Sequence, residues 1–407
     1  MKTDLDRLME KRNLDAFVVA GSTRGNPALT YMTNGSNLMR GWVIQRRGGD
    51  SVLICSPIER EEAAASGLTT VALNEYDFLS ILREKGDRLD ASVELYRRFF
   101  ADLGVSGRVG FYGEADQGRA WMLLNALDAQ LENVTVCGDF EKTLIAEARA
   151  TKDATEAAQI REMGRHTCNI VGRTVDFLRS HQVGEEMLLQ GDGTPLTIGR
   201  VHDEIKRFIS EEQLEDPEGF IFSIGRDAGV PHNKGRAEDV VRLGQTIVYD
   251  IFPCQAGGGY FFDMTRTFCL GYAPPDVEEA YEDVRECTEM LIDTYEVGQE
   301  ARRYQQMTCE FFEARGHPTL ASDSKTEEGY VHSVGHGLGL AVHEEPGFSD
   351  NPTNTSVLEP GHVFTCEPGL YYPERGYGIR IEDVIWIDDG GDVHNLTDFP
   401  KELVIEF

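Results

Sequence analysis

Four acidic residues stand in segments that avoid water. Asp250 closes the apolar run of "GQTIVYDIF", Asp263 lies within "GGYFFDMTRTFCLG", Glu367 follows "GHVFTC" before a Pro-Gly pair, and Glu382 sits in "YGIRIEDVIWI" two residues after Arg380. Taken singly, each suits an acid at a strand end, on an exposed edge or beside a local arginine. Together they are harder to accommodate, because burying unpaired carboxylates is costly unless cations neutralise them. Lysine is scarce, and the arginines near these segments are Arg266 and Arg380. Divalent metal is the cation this set calls for. A further stretch, "YVHSVGHGLGLAVHEEP" from Tyr330 to Pro346, places His332, His336 and His343 among glycines and apolar residues, which predicts buried imidazoles in need of partners. Carboxylates with an imidazole suit two hard or borderline divalent metal ions, manganese foremost, with cobalt, iron or zinc as alternatives; a structural zinc site would use cysteines.

In their order and contexts ("YDIF", "DMTRTF", "GHGLGL", "CEPGLY", "RIEDV"), Asp250, Asp263, His336, Glu367 and Glu382 resemble the five metal ligands of the pita-bread metallopeptidases. That family holds prolidase, aminopeptidase P and methionine aminopeptidase, with creatinase as a metal-free relative. The resemblance runs from about 155 to 407, and the first domain resembles the N-terminal domain of prolidase, aminopeptidase P and creatinase. By contrast, "GHGLG" alone lacks the spacing and preceding strand of a dinucleotide-binding loop.

The family pattern implies that Asp250 chelates one metal, that His336 and Glu367 chelate the other, and that Asp263 and Glu382 bridge the two. It implies two-metal hydrolysis of the Xaa-Pro bond in short peptides, by an Xaa-Pro aminopeptidase or dipeptidase, with a hydroxide shared by the ions as nucleophile. Glu367 would shuttle the proton. His343, and His232 in "GVPHNKG", would hold the charge developing on the carbonyl, and Arg380 would orient and neutralise the ligands. His332 has no matching role and reads as packing or a supporting hydrogen bond. His317, His362 and His394 read as loop or surface residues.

The chain departs from the family pattern in three places. Phe252 stands where glycine is common two positions after the first aspartate, and the loop "IFPCQAGGGYFF" is about two residues longer than usual. Gly347 follows "HEEP", where prolidases often place an arginine that grips a dipeptide's carboxylate. Lacking that cation, the chain is expected to cleave Xaa-Pro tripeptides at least as well as dipeptides. An amidinohydrolase- or lyase-like enzyme acting on another small substrate is the alternative, and a binding module without catalysis the third reading, weakened by the complete ligand set.

These residues need an α+β frame. Within the first 140 residues, "DAFVVAG", "WVIQRRGGDSVLI", "RVGFYGE" and "VTVCGD" read as strands, and 56–66 and 116–131 as helices, giving a small α/β domain over 1–150. Beyond a boundary near 145–155, helices are expected at 154–180, 197–212, 276–296 and 300–315. Strands are expected around 218–225, 245–252, 260–270, 361–367 and 377–387, giving an α+β domain, which the resemblance implies is a pita-bread catalytic domain over 151–407.

Of the 407 residues, 70 are acidic and 39 are Lys or Arg, and the net charge of −31 argues against nucleic acid and anionic membranes as partners. Surplus carboxylate with little lysine suits a salty cytoplasm and, equally, an ordinary acidic enzyme. The eight cysteines stand singly, as in reduced intracellular proteins. The opening "MKTDLDRLMEKRNLDAFVVAG" has no signal-peptide core, and no apolar run reaches the roughly 18 residues of a membrane span. A cytoplasmic protein is expected. The resemblance further implies a homodimer, with "TNGSNLMRGW" as a contact loop, and a small peptide as substrate.

Overall fold

The structure, a computed structural model, describes residues 4–407. One compact unit runs to Arg149 and takes in Gly257–Gly259; the other comprises Ala150–Ala256 and Tyr260–Phe407.

The first unit is a six-stranded mixed sheet in the order Thr69–Ala72, Val52–Cys55, Gly41–Arg46, Ala16–Gly21, Gly107–Tyr112, Val134–Cys137. "WVIQRRGGDSVLI" divides into two antiparallel strands, turning through Gly48, whose φ of +73° lies in the left-handed region that glycine enters freely. The 16-residue helix Arg88–Leu103 has no counterpart among the expected elements. Its charged residues break up the sequence pattern, yet Tyr96, Phe99 and Phe100 are buried in the core, and Asp87 caps its first turn.

In the second unit, the long helix Ala154–Arg179 starts from a capping box: Asp153 accepts from Glu156 N and the Glu156 carboxylate accepts from Asp153 N. Its apolar face packs on a sheet in the order Ile221–Ile224, Thr246–Ile251, Met264–Leu270, Val404–Ile405. Every residue of the two central strands is buried, which is why they read as continuous apolar runs. A five-stranded antiparallel sheet follows, in the order Glu344–Gly347, His336–Gly337, Val363–Cys366, Asp383–Ile387, Val393–Asn395. Helices Pro275–Thr294 and Ala301–Glu313 pack on its core. No helix among the described residues is long and apolar enough to cross a membrane.

Three of the four acids lie just outside strand ends. The expected strand at 260–270 begins at Met264, one residue after Asp263, and that at 361–367 stops at Cys366, one residue before Glu367. The expected strand at 377–387 is two strands of different sheets, Tyr377–Arg380 and Asp383–Ile387, and Glu382 lies in the crossover between them. There its N–H donates to the Thr265 carbonyl at 3.1 Å. Arg380 and Glu382 therefore do not share a strand face as the alternation of residues suggests.

Arg266 fixes that crossover. Only 1% exposed, it donates to the Thr265 and Glu382 carbonyls at 2.9 Å each and to those of Phe399 and Pro400 at 2.9 and 3.0 Å. Its Nη2 lies 2.8 Å from Asp383 Oδ1, and Asp383 Oδ2 meets Lys401 Nζ at 2.6 Å. Burial alone would raise the Asp383 carboxyl, but Arg266 and Lys401 more than offset it and hold it below its ordinary value. Removing the carboxylate leaves the buried Arg266 without its anion and beside the partly exposed Lys401. Asp383→Ala should lose about 3–5 kcal/mol in urea unfolding, the usual penalty for breaking a buried pair. A loss below about 1 kcal/mol would show that the backbone carbonyls suffice for Arg266.

Candidate active site

Asp250 lies near the end of its strand, paired with Ile221 on one side and Thr265 on the other. Its Oδ2 accepts a short charge-assisted bond from Arg380 Nη2, while its Oδ1 is buried with no hydrogen-bond partner. Asp263 Oδ1 is likewise buried and unpartnered, and its Oδ2 stands 3.7 Å from His336 Nε2. Glu367 Oε1 lies 3.6 Å from the same nitrogen, and Glu382 Oε2 accepts from Thr265 Oγ1 at 2.7 Å. Donor atoms of Asp263, His336 and Glu382 all fall within 4.8 Å of one another. The structure thus brings all five sequence-predicted ligands to one cavity wall.

The distances from His336 Nε2 to Asp263 and Glu367 are too long for direct hydrogen bonds, and the groups are nearly all acceptors. His336 Nδ1 faces the Gly337 carbonyl at 3.0 Å, so it carries the proton and leaves the Nε2 lone pair facing the carboxylates. Burial, and then His343, bring the His336 imidazole down to about 3, so it stays neutral. Burial pushes the Glu367 carboxyl up to about 8; Arg380 pulls it down and Asp250 pushes it up. Asp263 and Glu382 are raised well above their ordinary values, by burial first and then by the neighbouring acids. A cluster of orphaned acceptor oxygens with one free imidazole lone pair fits divalent cations, which would satisfy every one of these groups.

Two glycines bring His336 to this position through close packing rather than through unusual dihedrals. A Cβ on Gly335 would lie 2.1 Å from the Thr365 carbonyl oxygen, and one on Gly337 would lie 2.0 Å from that of Glu345. His336 and Gly337 form a short strand squeezed between neighbouring backbones.

Arg380 is the sole permanent cation among the ligands. It donates to Thr265 Oγ1 at 3.0 Å, to the Pro231 carbonyl at 3.4 Å and to Tyr371 Oη at 2.7 Å, besides Asp250. Its direct carboxylate partner is Asp250, and Thr265 relays its contact to Glu382. Tyr371 in turn donates to His332 Nε2 at 2.9 Å, and His332 Nδ1 donates to the Ser333 carbonyl at 2.7 Å. Burial, then Arg380, hold His332 down to about 3, so this chain of bonds is neutral up to the guanidinium. Sequence reasoning missed Tyr371; its one signal was a position four residues after Glu367 in "EPGLYY". His332 takes the supporting role that its lack of a ligand match suggested.

His232 and His343 line the same cavity, but both are exposed, so the buried setting expected for the histidine-rich stretch does not extend to His343. The His343 ring stands 4.3 Å from that of His336. Of the histidines read as loop or surface residues, His362 is instead buried, while His317 does lie in a loop, half-buried and held between Tyr372 Oη and Asp283 at 2.6 and 2.9 Å.

The model of metallopeptidase family M24 matches residues 158–389, more than half of the chain. The chain belongs to metallopeptidase family M24. It is 30% identical over 257 residues to the probable dipeptidase PepE of Mycobacterium bovis, covering 63% of this chain and 61% of the relative. It is 28% identical over 261 residues to the Xaa-Pro dipeptidase of Lactobacillus delbrueckii subsp. lactis, covering 63% and 62%. The chain thus spans about three fifths of the length of these relatives. Among solved structures, the Xaa-Pro dipeptidase from Bacillus anthracis superimposes with a TM-score of 0.76 at 22% identity over 99% of both chains. The prolidase from Pyrococcus horikoshii gives 0.74 at 22% identity over 98% of both. These likenesses establish the pita-bread fold with its preceding α/β domain.

Chelator-stripped protein exposes the electrostatics of this centre. Because the folded-state Glu367 carboxyl is raised to about 8, its destabilising effect is absent below the unfolded value near 4.5 and complete above pH 8. The stripped wild type should therefore lose thermal stability between about pH 5 and pH 8. Glu367→Gln should show a flatter profile in the same scan. Equal slopes would mean that the acids are already neutralised from within the chain.

Proposed function

We propose that this chain hydrolyses the Xaa-Pro bond of short peptides, using two divalent ions held by Asp250, Asp263, His336, Glu367 and Glu382. The observation that carries the reading is the pair of orphaned, buried oxygens on Asp250 and Asp263 beside the free His336 Nε2. The Xaa-Pro specificity is carried over from relatives named for it. Residues 151–407 are the catalytic domain in this reading, and 1–150 the accompanying domain. Manganese as the native ion, a homodimer and a cytoplasmic setting complete it.

When bound, such ions supply the charge that polarises a scissile carbonyl and lowers the pKa of water held beside it. The side chains have distinct tasks. Glu367 receives the proton of the attacking water on a carboxylate oxygen and passes it to the departing proline nitrogen. His232 and His343, on the cavity wall, donate to the oxygen on which negative charge grows. Arg380 keeps Asp250 aimed, with Tyr371 and His332 fixing the guanidinium from behind. Phe252 and Val342 give the cavity, about 430 Å³ in volume, an apolar surface for a proline ring.

Purified protein reconstituted with manganese should carry about two ions per chain and hydrolyse Ala-Pro and Ala-Pro-Ala. Glu367→Gln should lose nearly all turnover, about a thousandfold or more, since it alters a ligand and the proton carrier together. Asp263→Asn and Glu382→Gln should each release both ions in elemental analysis. Absence of specific metal after manganese or cobalt loading, or activity confined to non-peptide amidines, would overturn the reading.

A further inference from the structure

Two permanent cations line the cavity, Arg380 and Lys234, against five acids: Glu218, Asp250, Asp263, Glu367 and Glu382. Arg380 is committed, with bonds to Thr265, Pro231, Tyr371 and Asp250. Lys234 is not. Of the three donors on its ammonium, one goes to the Glu218 carbonyl at 2.8 Å, and among the described residues no carboxylate lies within 4.0 Å of it.

The lysine stands on a firm base. Asn233 Oδ1 accepts from Gly235 N at 2.9 Å, and Gly235, at φ +79°, packs so closely that a Cβ would meet the Phe222 carbonyl at 2.7 Å. Arg380 holds the Pro231 carbonyl of the same loop. The ammonium itself rests over Gly219, where a Cβ would come within 2.6 Å of Nζ. The loop therefore presents a positive charge with free donors at the wall of a cavity otherwise dominated by acids.

We propose that Lys234 determines specificity by taking the C-terminal carboxylate of an Xaa-Pro dipeptide, a step that rests on the peptidase reading above. A dipeptide brings two opposite charges into one cavity. Its amino end suits the acids, whereas its carboxylate is repelled by them and loses water on entry, so it needs a cation with donors to spare. At about 3.5 Å per residue, both ends of a dipeptide lie inside the cavity, while each added residue carries the carboxylate outward. Lys234 thereby replaces the cation that Gly347 does not provide, and the preference expected from Gly347 alone is reversed: Ala-Pro is favoured over Ala-Pro-Ala.

The test compares Ala-Pro with Ala-Pro-amide, whose end carries no charge, on manganese-loaded wild type, Lys234→Gln, Lys234→Arg and Lys234→Glu. Because Lys234 is exposed and screened by solvent, Lys234→Gln should raise KM for Ala-Pro about fivefold with kcat little changed. The amide should be cleaved equally by wild type and Lys234→Gln. Lys234→Arg should restore the wild-type KM for the acid, and Lys234→Glu should raise it further. Parallel losses on acid and amide, or an unchanged KM for Ala-Pro in Lys234→Gln, would overturn the assignment. A wild type inert towards both substrates would instead overturn the peptidase reading on which it rests.

Discussion

The architecture of the second unit depends on keeping four carboxylates out of water with one guanidinium between them. Such a group repels itself, so the frame holding it must be rigid without help from the acids. The two central strands meet this demand: every residue in Thr246–Ile251 and Met264–Leu270 is buried, and their backbone groups are paired with each other. Asp250 is carried on the part of the chain least able to yield, and Asp263 stands directly before the second of these strands. The repulsion is stored in the raised proton affinity of Asp263, Glu367 and Glu382 rather than released by movement.

The remaining candidate ligands are held by interlocking backbones. Glu382 sits at a change of sheet, where Arg266 grips its carbonyl and Thr265 binds both its N–H and its carboxylate. His336 is wedged by two glycines whose neighbours leave no room for a side chain. Glu367 follows the end of its strand, with its N–H on the Val334 carbonyl at 2.9 Å. The acids thus gather where strands begin, end or cross, because there the backbone can turn a side chain inward while its neighbours stay paired.

The candidate ligands stand out in the sequence because an acid inside an apolar run is anomalous by itself. Asp263 between Phe262 and Met264 needs no fold to attract notice. Tyr371 and Lys234 carry no such mark: a tyrosine in a buried strand and a lysine in a polar loop are ordinary, and their meaning arises only from what the fold sets against them. The same limit applies to secondary structure. Helix Ala154–Arg179 declares itself by its cap and period, whereas Arg88–Leu103 hides an aromatic face among charges. The break at Ile381-Glu382 is invisible locally, since apolar residues run on either side of it; only the demands of two different sheets separate them.

Where else this chain buries an acid is instructive. Asp383 receives Arg266 and Lys401, and Glu344, with its side chain 1% exposed, receives Lys152 at 3.0 Å. Two of the few lysines are thus spent on permanent neutralisation of single carboxylates, each immediately beside the candidate centre. Glu344 lies next to His343, and its carboxylate also accepts from Ala341 N, so its ion pair fixes the hairpin that bears that histidine. A built-in ammonium is therefore within the chain's means when the task is structural. At Asp250, Asp263, Glu367 and Glu382 only Arg380 is supplied, and oxygens are left without partners. The contrast separates two uses of buried charge. One is closed by the chain and contributes to a fixed geometry. The other is left open, with buried oxygens on Asp250 and Asp263 that no donor among the described residues meets.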